Sequence, residues 1–169
     1  MVGGAVSAVG LRIRAADRPG DLGWVIMAHG ELYAKEFGWD TSFEALVASI
    51  VADFAAAHDD SREAAWIAEL GERRVGCVFC VADSPETAKL RILLVDPVAR
   101  GCGLGTALVG TCIDFARRAG YRRLVLWTND ALLSARKIYQ AAGFTLVKEH
   151  PHHSFGHDLV GQNWQLELS

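Results

Sequence analysis

The sequence has no run of apolar residues near the roughly 20 that a membrane-crossing helix requires, so a spanning segment is not expected. It has no surplus of positive charge. Lys and Arg number 17 against 20 Asp and Glu, for a net charge of -3, which gives no basis for broad attraction to nucleic acid or to an anionic membrane. The opening "MVGGAVSAVG" lacks the basic start of a secretion signal. Residues 1–10 are read as a flexible leader, 11–169 as a single domain, and the cytoplasm as its compartment. Cysteine is scarce, at four residues, and no second CxxC accompanies Cys77 and Cys80. Those two lie in the strand-like "RRVGCVFCVAD", where alternation sends them to opposite faces, so they do not clasp one metal. They are expected as buried thiols in a reducing compartment, and no metal site is expected.

What is present is a 169-residue chain that is 51% hydrophobic, enough to bury a core without staples. "LRIRAA" (11–16) alternates as a strand, and "RPGD" breaks it. Leu22 to Phe37 fits helical spacing loosely, weakened by Gly23 and Gly30. A second helix opens at Thr41 with Glu44 three residues on, a capping-box pattern, and carries an apolar stripe from Phe43 to Phe54. "AAWIAEL" and "RRVGCVFCVAD" read as a hairpin across a short turn, and "TAKLRILLV" as the next strand. A helix from Leu104 to Arg118 ends near Gly120, "RRLVLW" is a strand, and "LLSARKIYQAA" is a helix closed by Gly143. "FTLVKEH" and "DLVGQNWQLEL" are final strands joined by a loop, "PHHSFGH". The order β-α-α-β-β-β-α-β-α-β-β predicts an α/β domain with a mixed, mostly antiparallel sheet and one parallel pair across the 88–127 unit.

The most informative stretch is "ARGCGLGTAL". A nucleotide-hydrolase phosphate loop needs Lys before Ser or Thr after its last glycine, and here Thr106 follows Gly105 directly. A dinucleotide fingerprint begins at the strand end, but "DPVAR" intervenes here and Thr106 replaces its third small residue. Two readings remain. One is a glycine-rich turn that binds nothing. The other is a helix N-terminus whose unobstructed N–H groups and macrodipole hold a pyrophosphate.

"VDPVARGCGLGTALV" resembles the acetyl-coenzyme A motif of the GNAT N-acetyltransferases, with Arg100, Gly103 and Gly105 at its motif positions. "SARKIYQAAGF" resembles the family's second signature through Ala135, Tyr139, Gly143 and Phe144. The resemblance implies a GNAT-like fold and acetyl transfer from acetyl-CoA to a primary amine, on a small molecule or a peptide, by direct transfer in a ternary complex. It places the cofactor against Leu93, Val95, Arg100, Gly101, Cys102, Gly103, Leu104, Gly105, Thr106, Asn129, Ala135, Lys137 and Tyr139. The Val95 N–H faces the thioester, and Tyr139 is the general acid. Many relatives carry a glutamate on the central strand, whereas "AKLRILLV" has none. Glu36, His29 and His153 are therefore candidate bases. Tyr33, Glu36 and Trp39 are candidate contacts for a cationic acceptor, with Trp39 also read as a staple between the first two helices. Asn129 is expected to take the place of a family Asn where Leu132 stands. A homodimer is a further expectation. "HGELYAKEFGWD" and "HHSFGHDLVGQNWQLEL" resemble the acetyltransferase half of bacterial MarR-type regulator fusions. That keeps a second expectation open: an acyl-CoA-binding sensor with little catalysis.

Overall fold

The computed structural model describes residues 10–168; the leader expected over 1–10 lies, apart from Gly10, outside the described residues. Seven strands form one sheet: β1 (Leu11–Ala15), β2 (Ala64–Leu70), β3 (Arg73–Ala82), β4 (Thr87–Val95), β5 (Arg123–Asn129), β6 (Thr145–Ser154) and β7 (His157–Glu167). The helices are α1 (Asp21–Phe37), α2 (Thr41–Ala57), α3 (Leu104–Arg118) and α4 (Leu133–Ala141), in the order expected from the sequence. The spatial order is β1-β2-β3-β4-β5-β7-β6, antiparallel throughout except for the parallel β4–β5 pair. No helix of the described residues is long and apolar enough to cross a membrane.

Alternation along the strands divides the core in two. One face of β3 sends Val78 and Cys80 toward Leu104, Leu108 and Cys112 of α3. The other sends Cys77 and Phe79 toward Val25 of α1 and Val47, Val51 and Phe54 of α2. Cys77 and Cys80 thus sit on opposite faces, as period 2 requires.

Helix ends follow local chemistry. The cap of α2 is Asp40, whose carboxylate accepts from the Ser42 N–H at 3.0 Å; the expected box at Thr41 and Glu44 does not form, because Thr41 is already helical. Both α3 and α4 end in paired 6→1 and 5→2 bonds. Tyr121 N–H donates to Ala116 C=O and Gly120 N–H to Arg117; Phe144 N–H donates to Tyr139 and Gly143 N–H to Gln140. Gly120 (φ 90°) and Gly143 (φ 100°) take the left-handed position these motifs need.

One expectation is corrected. "PHHSFGH" is no loop: β6 runs through Pro151 to Ser154, β7 begins at His157, and only Phe155 and Gly156 turn. Pro151 is tolerated because β6 is an edge strand, where one missing N–H faces no partner. Phe155 is held at φ 58°, with its ring 4.9 Å from that of Trp39 and 5.1 Å from that of Phe43.

Candidate active site

The sheet splits where β4 and β5 part. Their parallel pairing runs from Thr87↔Arg123 to Leu90↔Leu126 and stops. Beyond it, β4 follows β3 as far as Val95↔Gly76, and β5 follows β7 as far as Asn129↔Gly161. A wedge opens between two strand edges whose polar groups lack a neighbouring strand.

A bulge contributes to the parting. Cys77 pairs with Leu94 and Phe79 with Arg91, so Val78 faces two residues, Ile92 and Leu93. Ile92 adopts φ 46°, a costly left-handed conformation for a β-branched residue. The Cys77 thiol donates to the Ile92 carbonyl at 3.4 Å, and burial raises the Cys77 pKa, so the donor stays protonated. Past the bulge, the Asp96 N–H donates to Val75 at 2.8 Å. That bond makes Gly76↔Val95 a non-hydrogen-bonded pair, which turns the Val95 N–H and C=O away from β3 and toward the wedge.

The glycine loop stands at one mouth of this wedge. Gly101 (φ 83°) and Gly103 (φ 84°) are left-handed, and α3 begins at Leu104 without a side-chain cap. Among the described residues nothing accepts from the N–H groups of residues 101–106. Six successive free donors at a helix N-terminus have the chemistry that suits an anion. Gly105 serves packing: a Cβ there would lie 2.6 Å from Ile138 of α4. The Cys102 thiol turns inward and donates to the Ala99 carbonyl at 3.0 Å.

Two clefts meet in the wedge, sharing Tyr33, Leu93, Leu132 and Ala135. The outer cleft, about 450 Å³, runs along Val95, Arg100, Gly103 and Thr106. The inner cleft, about 100 Å³, is bounded by His29, Trp39, Asn129 and Tyr139, with Ile92 in its wall. Of the expected residues, the structure brings these two sets together. Lys137 is exposed and lines neither cleft.

The candidate bases separate. Glu36 is fixed by a two-toothed ion pair with Arg100, at 2.8 and 3.0 Å, across the outer cleft. The same arginine donates to Val95 C=O at 3.3 Å. His153 is exposed on the β6–β7 hairpin, paired with Asp158 at 2.8 Å, and lines neither cleft. His29 is buried. Its Nδ1–H donates to the Val25 carbonyl at 2.7 Å, and its Nε2 has no partner. Burial pushes the His29 pKa down to about 4, against the weaker opposite effect of the Val25 bond, so its Nε2 keeps a free lone pair at neutral pH.

Tyr139 is 5% exposed, and burial raises its pKa, so it remains a proton donor. Asn129 is oriented by a relay. Ser154 O–H donates to His152 Nδ1, and His152 Nε2–H donates to Asn129 Oδ1, both at 2.8 Å. This leaves the Asn129 amide N–H groups as donors. Trp39 packs with Tyr33, Phe37, Phe43 and Phe155, at 4.9 to 5.5 Å between ring centres. It closes the end of α1 and α2 over the inner cleft and staples the two helices. The Ile92 bulge, the His152 relay and the Glu36–Arg100 pair escape sequence reasoning. Nothing in an apolar "RILLV" marks a left-handed isoleucine, and both side-chain contacts join residues distant in sequence.

Residues 26–144, well over half the chain, match the model of the Acetyltransferase (GNAT) family. The human N-acetyltransferase 8B is 42% identical over 84 residues, which are 47% of this chain and 37% of that protein. The match therefore spans well under half of that relative's length. Among solved structures, a Salmonella typhimurium protein solved with its cofactor acetyl-CoA superposes with a TM-score of 0.74 at 19% identity, covering 94% of each chain. A GNAT-family acetyltransferase from Staphylococcus aureus reaches 0.76 at 18% identity, covering 94% of this chain and 99% of that one. At such identities the two structures bear on the fold alone.

Proposed function

The chain belongs to the GNAT acetyltransferase family, which uses acetyl-CoA, and from that premise we propose that it is an N-acetyltransferase acting directly on a bound primary amine. The observation that carries this reading is the junction of a free N–H cradle with a split sheet edge: one end takes an anion, the other offers extended backbone donors and acceptors. The site fits the cofactor. A pyrophosphate needs clustered donors without side chains in front of them, and a Cβ on Gly101 would meet nothing within 4 Å. An amide-bearing arm needs strand-edge partners, which Leu93 and Val95 supply.

When bound, acetyl-CoA supplies a thioester carbonyl open to attack by an amine. The N–H groups of residues 101–106 would hold the pyrophosphate, with Arg100, tied to Glu36, bordering the same cleft. The Val95 N–H stabilises negative charge on a carbonyl oxygen, worth about 10²–10³ in rate for one fixed donor. Tyr139 would donate its proton to the leaving sulfur and regain one from the nitrogen, which sheds its proton as the amide forms. Asn129 donates from its amide to the cofactor arm. His29 Nε2 accepts a hydrogen bond from the amine and orients its lone pair. Glu36 and His153 take no part as bases, the first being neutralised by Arg100 and the second lying outside both clefts.

One observation favours the second reading, an acyl-CoA-binding sensor akin to the regulator fusions: β4 carries no carboxylate, and among the described residues the partnerless base in the wedge is a histidine with a low pKa. Thiol release from acetyl-CoA over a panel of primary amines, with calorimetry of acetyl-CoA binding, separates the two. Amine-dependent release supports the enzyme. Binding without release from any amine contradicts it.

A further inference from the structure

The inner cleft is lined on its β4 side by two cations without acidic partners. Lys89 and Arg91 stand two residues apart on β4 and therefore project to the same face of the sheet, opposite Leu90. Among the described residues, neither has a carboxylate within ion-pair distance. Asp53 and Asp83 act on Arg91 only at longer range. Both cations are half-buried, and partial desolvation lowers their pKa values, with Arg91 lowering that of Lys89 further. Two desolvated like charges side by side are costly to keep, and an anion between them offsets that cost. The one acid expected to draw a cationic acceptor, Glu36, faces the outer cleft and is already neutralised by Arg100.

A second, independent feature lies in the wall of the same cleft. His29 is 1% exposed, and its Nε2 is a buried acceptor without a donor. The ring is fixed by the Val25 bond and by stacking on Tyr33 at 5.7 Å, so the lone pair cannot turn to find one. A buried acceptor left unpaired is destabilising, and an incoming N–H would relieve it. The cleft thus holds an unmatched acceptor and an unmatched pair of cations.

We propose that the acceptor is a small amine that also carries a carboxylate, with the carboxylate bound by Lys89 and Arg91 and the amine facing His29 Nε2. The proposal rests on the N-acetyltransferase reading and adds the substrate class. Arg91 is the stronger determinant, since a guanidinium meets a carboxylate with two parallel hydrogen bonds. The selection is electrostatic, so it weakens as salt rises.

The test is a panel in which several aliphatic and aromatic amino acids are each compared with their amides and with the amines left after removal of the carboxylate. Rates are read as kcat/KM at one pH near neutrality, each corrected for the neutral fraction of its amine. The carboxylates are expected to exceed their amides by at least about tenfold, the worth of one charge-assisted contact. Arg91→Gln should reduce that ratio toward one by lowering kcat/KM for the carboxylates alone, while the amides stay within about threefold. Lys89→Gln should do the same more weakly. Circular dichroism and melting establish that each variant folds, and if Arg91→Gln does not, Lys89→Gln and the wild-type panel decide. Amides and carboxyl-free amines acetylated as fast as the carboxylates would overturn this inference and leave the activity standing. Acetylation of no amine at all would overturn the activity and the inference together.

Discussion

Tyr139 lines the inner cleft from α4, and burial keeps its hydroxyl protonated. Tyr139→Phe removes one proton donor and almost no volume. Acetyl-CoA affinity should stay within a few-fold, while kcat falls by about 10²–10³, the worth of one placed acid. Parallel calorimetry and steady-state kinetics check this, and an unchanged kcat with chemistry limiting the rate would remove Tyr139 from the mechanism. His29 carries a different signature. Its folded pKa of about 4 lies below the ordinary 6.5, so on acidification the unfolded chain takes up a proton before the folded one does. Stability should therefore fall from about pH 6.5 downward and stop responding to this group below about pH 4. Urea unfolding across that window should show the slope, and His29→Gln should flatten it. Tyr139 was singled out by the resemblance of "SARKIYQAAGF" to the family's second signature, since helix spacing alone reads it as a core aromatic. The partnerless state of His29 was not, because it depends on which carbonyl the other ring nitrogen meets.

The elements that matter most for function are a loop and a gap. The loop could be read from the sequence, since glycine at 101, 103 and 105 before a helical pattern has few physical explanations. Gly103→Asp places a side chain at φ 84° and a negative charge among free N–H groups. It should weaken acetyl-CoA binding by about tenfold or more, measured by calorimetry on a folded variant. The gap could not be read. Strand separation arises from pairing, and the left-handed Ile92 that shifts the register is a residue type that avoids that conformation. The β6–β7 segment was misread for a related reason. Pro151 and the histidines read as a loop, but an edge strand accommodates proline, and Phe155 takes a turn position because its ring is held against Trp39 and Phe43. The Glu36–Arg100 pair bridges α1 and the glycine loop. Glu36→Gln frees the guanidinium and removes an anion from the outer cleft, so acetyl-CoA affinity should rise a few-fold. A decrease would show that the pair serves to position the loop instead.

At the scale of the molecule, α1 is joined to the sheet by a charged cluster under its N-terminus. Asp21 is fully buried and accepts from Arg14 at 2.8 and 2.9 Å, from Arg74 at 2.8 Å and from the Arg18 N–H at 2.9 Å, while Glu69 meets Arg12 and Arg14 at 2.9 Å. Burial alone would raise the Asp21 pKa; the hydrogen bonds from Arg14, Arg18 and Arg74 outweigh it and hold the carboxyl well below the ordinary range. With the folded value depressed, the contribution is complete above the unfolded pKa of about 4 and is lost as pH falls further. Acid unfolding should steepen below about pH 4. Asp21→Asn should remove that component and lower stability by up to about 3–5 kcal/mol, since Arg74 loses its carboxylate and Arg14 one of its two. Thermal melts of both proteins from pH 3 to 7 test this. The fold as a whole was readable from the order of periodic segments, because alternation and helical stripes are set by local burial. The ion cluster was not, because Arg14, Asp21, Glu69 and Arg74 converge only once β1, β2 and β3 are paired.

The central claim is that the glycine loop and the edge of β4 past Ile92 form one continuous acetyl-CoA site. Amide hydrogen exchange, with and without saturating acetyl-CoA, measures it most directly. The account predicts new protection at residues 101–106 and at Leu93 and Val95, with the β1–β2 hydrogen bonds unchanged. Saturable acetyl-CoA binding that protects neither the loop nor the β4 edge would contradict it.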